Sequence, residues 1–269
     1  MLHILTTCIN STDFLEMQVV TLKRHMLCPY EFIVFNDAKS WPDWTNFNDT
    51  TLKQKITAKC TELGIQCIEH PNDHHKGPYY NEPSHRAADT MNSIWEYMKA
   101  HPAKYFILDS DMILISDFNP LTRYTGYDAA IYEQTRNLPE LVRYIWPNVF
   151  YFDTQQAPHQ EIIDWRCMPR LDTGGMTRYW MASDPKLYYM TKWHICDGSV
   201  NHIDMIDGIE QYPKLGEWIL SDPRNGGARN LLEIVEDHIL HYQSACNWRR
   251  EGRFIHQMLI SSLKKIILK

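Results

Sequence analysis

Short apolar runs alternate with amphipathic stretches over the first 120 positions. His3 to Ile9 is an apolar run that ends in Asn10-Ser11-Thr12-Asp13, a strand entering a helix-capping cluster. Phe14 to His25 then has helical spacing at Phe14, Met17 and Val20 or Thr21. Tyr30 to Phe35 reads as a second strand, 51–63 as a helix ended by Gly64, and Ile65 to Glu69 as a third strand stopped by His70-Pro71. Ser84 to Ala100 is a helix with Arg86 and Asp89 on its polar face and Met91, Ile94, Trp95 and Met98 on its apolar one. This order predicts an α/β fold with a mostly parallel, Rossmann-type central sheet flanked by helices. Ligands of such sheets sit beyond the carboxyl ends of the strands. Those ends carry Thr6-Thr7-Cys8, Asn36-Asp37, Glu69-His70 and Asp109-Ser110-Asp111.

The last of these is the most informative. Tyr105 to Leu108 is a strand-like run, interrupted by Asp109 and Asp111 and resumed by Met112 to Ile115. Two acids cost too much to bury unpaired within a core strand. A divalent cation bridging to a phosphate offsets that cost. In a strand, positions i and i+2 share a face, so the two carboxylates can meet one ion if the chain stays extended or turns tightly there. An ordinary Asp-rich turn is the plainer alternative.

Beyond residue 120 the pattern changes. Tyr127 to Tyr132 reads as a strand, and 137–170, rich in Pro and aromatics, as an inserted acceptor-side lobe. Leu171-Asp172-Thr173-Gly174-Gly175 offers paired glycines where a backbone can approach a ligand closely. Gly226-Gly227 precedes a predicted helix near Arg229 to Val235, followed by Ile239-Leu240-His241-Tyr242. With no repeats or low-complexity segments, 1–269 reads as one domain: a ligand-binding half to about 120, an acceptor-side half over about 121–248, and a basic amphipathic helix over 249–269.

Composition narrows the picture. A net charge of −6 disfavours a protein that coats nucleic acid. Nine Trp and fifteen Tyr exceed what a core needs and suit sites for sugars or bases. Seven Cys without Cys-x-x-Cys suggest no disulfide framework or zinc knuckle. With no signal-like N-terminus and no bilayer-length apolar run, the expected setting is cytoplasmic. The tail carries a local +5 against −11 for the rest. Phe254, Ile255, Met258, Leu259, Leu263, Ile266 and Ile267 suit one broad apolar face, which packs on the domain or touches a membrane surface through 254–269. No Gly-x-Gly-x-x-Gly follows the first strand and no P-loop occurs, so metal and side chains must hold any phosphates.

Four features together resemble the GT-A-fold nucleotide-sugar glycosyltransferases: the Ile4-to-Cys8 strand with its helix, the Asp-x-Asp of Asp109-Ser110-Asp111, Asp172-Thr173-Gly174-Gly175, and His241 to Trp248. The last two depart from the common forms, the fourth with Gln243-Ser244-Ala245 where many members have glycines. The resemblance implies a sugar moved from a nucleotide-diphosphate donor, UDP-sugar favoured, to an acceptor hydroxyl on a glycan, a lipid-linked sugar or another molecule. It implies Mn2+ or Mg2+ held by Asp109, Asp111 and His241. It assigns donor contacts to Thr6, Thr7, Cys8, Phe14 and Asp37, with Arg86, Asp89, Ser110, Gly174 and Gly175 nearer the diphosphate and sugar. An inverting reaction needs a carboxylate base, for which Asp172, Asp197 and Asp237 are candidates; a retaining one does not.

Two other classes compete. A HAD-type phosphohydrolase also uses a strand-borne Asp-x-Asp, but on the first strand, with Thr or Val following rather than Met112. A non-catalytic sugar-nucleotide or glycan binder on the same fold would tolerate loss of a metal ligand, which Asp109, Asp111 and His241 together do not display.

Overall fold

The computed structural model describes residues 1–194, 206, 208–224, 232–244 and 252–269. Asp197, the Gly226-Gly227 pair and the Ala245-to-Trp248 part of the late motif lie outside the described residues. The elements run β1 (Leu2–Cys8), α1 (Asp13–His25), β2 (Tyr30–Asn36), α2 (Leu52–Leu63), β3 (Gln66–Glu69), α3 (Pro83–Ala100), β4 (Lys104–Leu108) and β5 (Met112–Leu114). Then follow α4 (Pro120–Arg123), β6 (Ala129–Asn137), β7 (Leu141–Asp153), α5 (Arg178–Met181), β8 (Leu187–Tyr189) and β9 (Lys192–His194). The chain closes with α6 (Leu215–Ser221), β10 (Glu233–Val235), β11 (Ile239–His241) and α7 (Arg253–Ile267).

The strands form a seven-stranded sheet ordered β3-β2-β1-β4-β7-β6-β8 and a four-stranded sheet ordered β5-β11-β10-β9. In the larger sheet β1, β2, β3 and β4 are parallel, and β7 enters antiparallel between β4 and β6. This is the mixed, mostly parallel α/β architecture that the alternating pattern predicts. Gly64 ends α2 in the left-handed region at φ 68°, as a C-terminal glycine should.

Three expectations change. The Tyr105-to-Ile115 run is not one interrupted strand. β4 belongs to the large sheet and β5 to the small one, so Asp109-Ser110-Asp111 is the turn that carries the chain from one to the other. Residues 137–170 are not an inserted lobe, because β7 runs through the middle of the large sheet with Tyr144, Ile145, Val149, Phe150 and Phe152 fully buried. Its Pro147 falls where the β6–β7 register shifts, between Ile131↔Phe150 and Glu133↔Ile145, so a missing N–H is tolerated. The predicted helix near Arg229 to Val235 ends instead in β10, a short strand with Ile234 and Val235 buried.

The apolar face of α7 also divides. Leu259, Ile260, Leu263 and Ile267 are buried in a cluster with Phe14, Met17 and Ile113, and Ile266 packs at its edge. Phe254, Ile255 and Met258 face outward. Lys264 fixes the helix to α1 through Asp13 at 2.8 Å and Glu16 at 2.7 Å. Among the described residues no helix is long and apolar enough to cross a membrane.

Candidate active site

The turn between the two sheets opens onto a cavity of about 300 Å3 at the carboxyl ends of β1, β2 and β4. Gln18 of α1 braces the turn from beneath, its amide donating to the carbonyls of Asp109 at 2.8 Å and Met112 at 3.0 Å. Asp109 is oriented at both oxygens: the Ser110 N–H donates to Oδ1 at 2.6 Å, and the Asn148 amide to Oδ2 at 2.6 Å. Asn148 follows Pro147 in the irregular part of β7, so the register shift aims it at the turn.

His241 arrives from the small sheet. β11 pairs with β5 so that His241 lies opposite Met112, beside Asp111, and its Nε2 stands 3.2 Å from Asp111 Oδ1. Its Nδ1 is 2.7 Å from Glu233 Oε2, and Glu233 is its register partner on β10. Lys192 completes the chain, donating to Glu233 at 2.7 Å while lying 4.1 Å over the Trp146 ring. Asp111, His241 and Glu233 are all buried.

The charges respond to one another. Burial, and then the Asp111 carboxylate, push Asp109 up to about 6. For His241 burial works against the charged form, but Asp111 and Glu233 outweigh it and raise the imidazole to about 10. Burial would raise Glu233 as well, yet His241 and Lys192 bring it down to about 2. Asp111 and Glu233 thus favour the charged form of His241, which offsets the crowded acids.

The donor set fits a divalent cation. Asp109, Asp111 and His241 each offer a ligand atom within 4.8 Å of the others'. Glu233 holds Nδ1, so Nε2 is the nitrogen presented to the ion, in the carboxylate–imidazole–metal order found around metal-bound His. Two carboxylates and one imidazole suit Mn2+ or Mg2+, which complete their shells with phosphate and water.

The other expected residues divide. Thr7, Asp37, Arg86, Ser110 and Asp172 line the cavity. Cys8 and Phe14 line a narrow cleft beside it, with Thr7 and Ser110 between the two. Thr6 is turned into the interior, where the Gln18 amide reaches its hydroxyl at 3.4 Å. Asp89 is absent from the cavity wall and is engaged by three histidines instead. Gly174 and Gly175 do not reach the cavity: a Cβ on Gly174, at φ 86°, would stand 2.5 Å from the Ile145 carbonyl, and one on Gly175 would stand 2.8 Å from Leu171 Cβ. The close approach they permit is to the protein itself. Asp237 sits on the turn at the far end of β11 from His241 and accepts from the Trp193 indole at 2.9 Å. Of the proposed bases, only Asp172 is on the cavity wall among the described residues.

Gln134, Trp146, Asn148, Gln243 and Ser244 line the cavity without having been singled out as site residues. Gln243 and Ser244 hold positive φ, 55° and 67°, immediately after the site histidine. Their place in a late motif where glycine is common was the one signal available for them.

No protein-family model matches the chain, and no curated protein matches it. Among solved structures, the chain is similar to the WbbM bifunctional glycosyltransferase in its apo form, at 9% identity and a TM-score of 0.43. The match covers 70% of this chain and 38% of that one, so the chain spans well under half of that protein's length.

Proposed function

We propose that the chain is a metal-dependent glycosyltransferase that takes a sugar from a nucleotide-diphosphate donor, UDP-sugar favoured, and passes it to an acceptor hydroxyl. The observation that carries this reading is the convergence of Asp109, Asp111 and a Glu233-oriented His241 at the mouth of a cavity in an α/β sheet. A divalent ion bound there supplies charge stabilisation for a departing diphosphate. Arg86, buried on the cavity wall, offers a guanidinium suited to phosphate oxygens. Thr7 and Asp37 stand at the strand ends where a nucleoside would lie, and Trp146 gives the wall a flat aromatic face. Asp172, on the cavity wall, is the candidate base for the acceptor's proton if configuration inverts. A nucleophilic Asp of the phosphohydrolase kind fits less well, because the Asp-x-Asp turn follows the fourth strand rather than the first and is followed by Met112.

The test is a donor screen. The chain is incubated with a panel of nucleotide sugars and Mn2+, and release of the nucleoside diphosphate is followed. Release from one donor class, abolished by a chelator and by Asp111→Asn, supports the reading. Tight donor binding with no release under any acceptor would favour the non-catalytic binder.

A further inference from the structure

Beside the cavity, the segment between β3 and α3 turns three imidazoles onto one carboxylate. The Nε2 atoms of His70, His74 and His75 lie 3.4, 3.2 and 2.6 Å from Asp89 Oδ2. His70 and His75 are buried, and the His74 and His75 rings meet at 4.3 Å. Tyr80 stacks on His75 at 4.3 Å. Asp37, also buried, closes the other side, its ligating atom within 4.8 Å of those of His70 and His75.

Hydrogen bonding alone does not satisfy this cluster. A carboxylate oxygen offers about two lone-pair sites, fewer than three N–H donors need. Any Nε2 that does not donate points its own lone pair at the oxygen, an arrangement that a cation between them relieves. His70 Nδ1 and His75 Nδ1 are buried without a hydrogen-bond partner, so changing tautomer does not mend the count. A tetrahedral ion with donors at 2.0–2.1 Å sets them roughly 3.3 Å apart. Two of the three histidine-to-Asp89 separations already match, the 2.6 Å one must open by less than an ångström, and His70 must close on His74 to join the three donors already within 4.8 Å of one another.

We propose that His74, His75 and Asp89, whose ligand atoms lie within 4.8 Å of one another, hold a second metal ion, Zn2+ or a similar late first-row ion, with His70 drawn in as the fourth donor. Three imidazoles and one carboxylate suit such an ion, whereas the oxygen-rich Asp109 and Asp111 pair suits Mn2+ or Mg2+. With His70 drawn in, four protein donors would leave no open position, and the centre would be structural rather than catalytic. It ties the loop after β3 to α3, and through Asp37, which lies 3.4 Å from Arg86, it steadies one wall of the cavity. This inference stands apart from the proposed reaction.

The test uses the full chain, stripped with a chelator and titrated with Co2+, whose four-coordinate complexes absorb far more strongly in the visible than six-coordinate ones. One equivalent should develop the intense band, and Zn2+ should bleach it. Asp111→Asn should leave the band intact, while His75→Gln and His74→Ala should weaken the affinity at least tenfold. The His74 side chain is 54% exposed, so His74→Ala keeps the fold even if His75→Gln does not. Absence of an intense band in the wild type, wild-type affinity in His74→Ala, or loss of the band in Asp111→Asn would each overturn the proposal.

Discussion

The main-chain N–H of Tyr242 donates to the carbonyl of Asp111 across 2.9 Å. Together with the Met112↔His241 register, this bond makes a β ladder, rather than side-chain attraction, responsible for bringing the late histidine to the Asp-x-Asp turn. The three proposed metal ligands are therefore brought together by the backbone itself, and their separate contributions can be probed without first rebuilding it.

Asp111→Asn should lower Mn2+ affinity at least a hundredfold, about 2.7 kcal/mol, while leaving the metal-free fold close to wild type. The substitution removes one of two crowded carboxylates, the charge that helps push Asp109 up, although His241 loses a partner. Calorimetric Mn2+ titration and thermal melts in chelator check the two halves separately. A metal-free melting point lowered by more than about 10 °C would mean that Asp111 serves the fold first.

Glu233 is proposed as a positioning residue for His241. Glu233→Gln keeps an acceptor for His241 Nδ1 but not the charge, and a 10–100-fold loss of Mn2+ affinity is expected. Glu233→Ala also strands Lys192, whose side chain is 9% exposed, and should cost about 3–5 kcal/mol of stability as a broken buried pair. Equal Mn2+ affinity in Glu233→Gln and wild type would remove Glu233 from the site.

His256 supplies a pH dependence at the junction of α7 with the domain. Burial, then the nearby Arg224, lower it to about 4, against the opposing pull of Asp222 and Asp111, and its Nδ1 meets the Tyr242 hydroxyl at 2.9 Å. The unfolded chain takes up this proton near pH 6.5 and the folded one only near 4, so stability from this group is present above 6.5 and lost as pH falls through that window. Denaturant melts from pH 7 to 4 should show a shallower decline for His256→Phe than for wild type. Parallel curves would refute the assignment.

Gly174→Ala separates packing from ligand contact. The new Cβ meets the Ile145 carbonyl at a left-handed φ, so a stability loss of several kcal/mol is expected. At a temperature where the variant is folded, its Mn2+ and nucleotide affinities should equal those of wild type. A selective loss of nucleotide affinity would return the glycine pair to the site.

The β/α alternation from β1 to β4 is legible because the helices there are long enough to show their period and the strands between them end at turn residues. β10 and β5, at three residues each, are too short to show one. The reversal at Asp109 left no trace in a string of apolar residues that looks the same whether it continues one sheet or enters another. Asp109 and Asp111 could be named from residue type and flanking pattern, and His241 only from the resemblance. Glu233 and Asn148 could not, because each reaches the site through strand register and carries no motif of its own. His74 and His75 carry no sequence signal of their own, because the loop's path, not their spacing, turns them with His70 onto Asp89.

The two left-handed residues after His241 bear on how this protein would respond to laboratory selection. Glycine would occupy the φ of Gln243 and Ser244 without the roughly 1–2 kcal/mol that an L side chain costs there. A library screened only for heat resistance should therefore enrich Gly at 244 early, and that enrichment would erase a hydroxyl-bearing side chain from the cavity wall. Screening the same library for donor turnover should hold Ser244 in place. Divergence of the two selections at that one codon would measure what the side chain contributes beyond the backbone it strains.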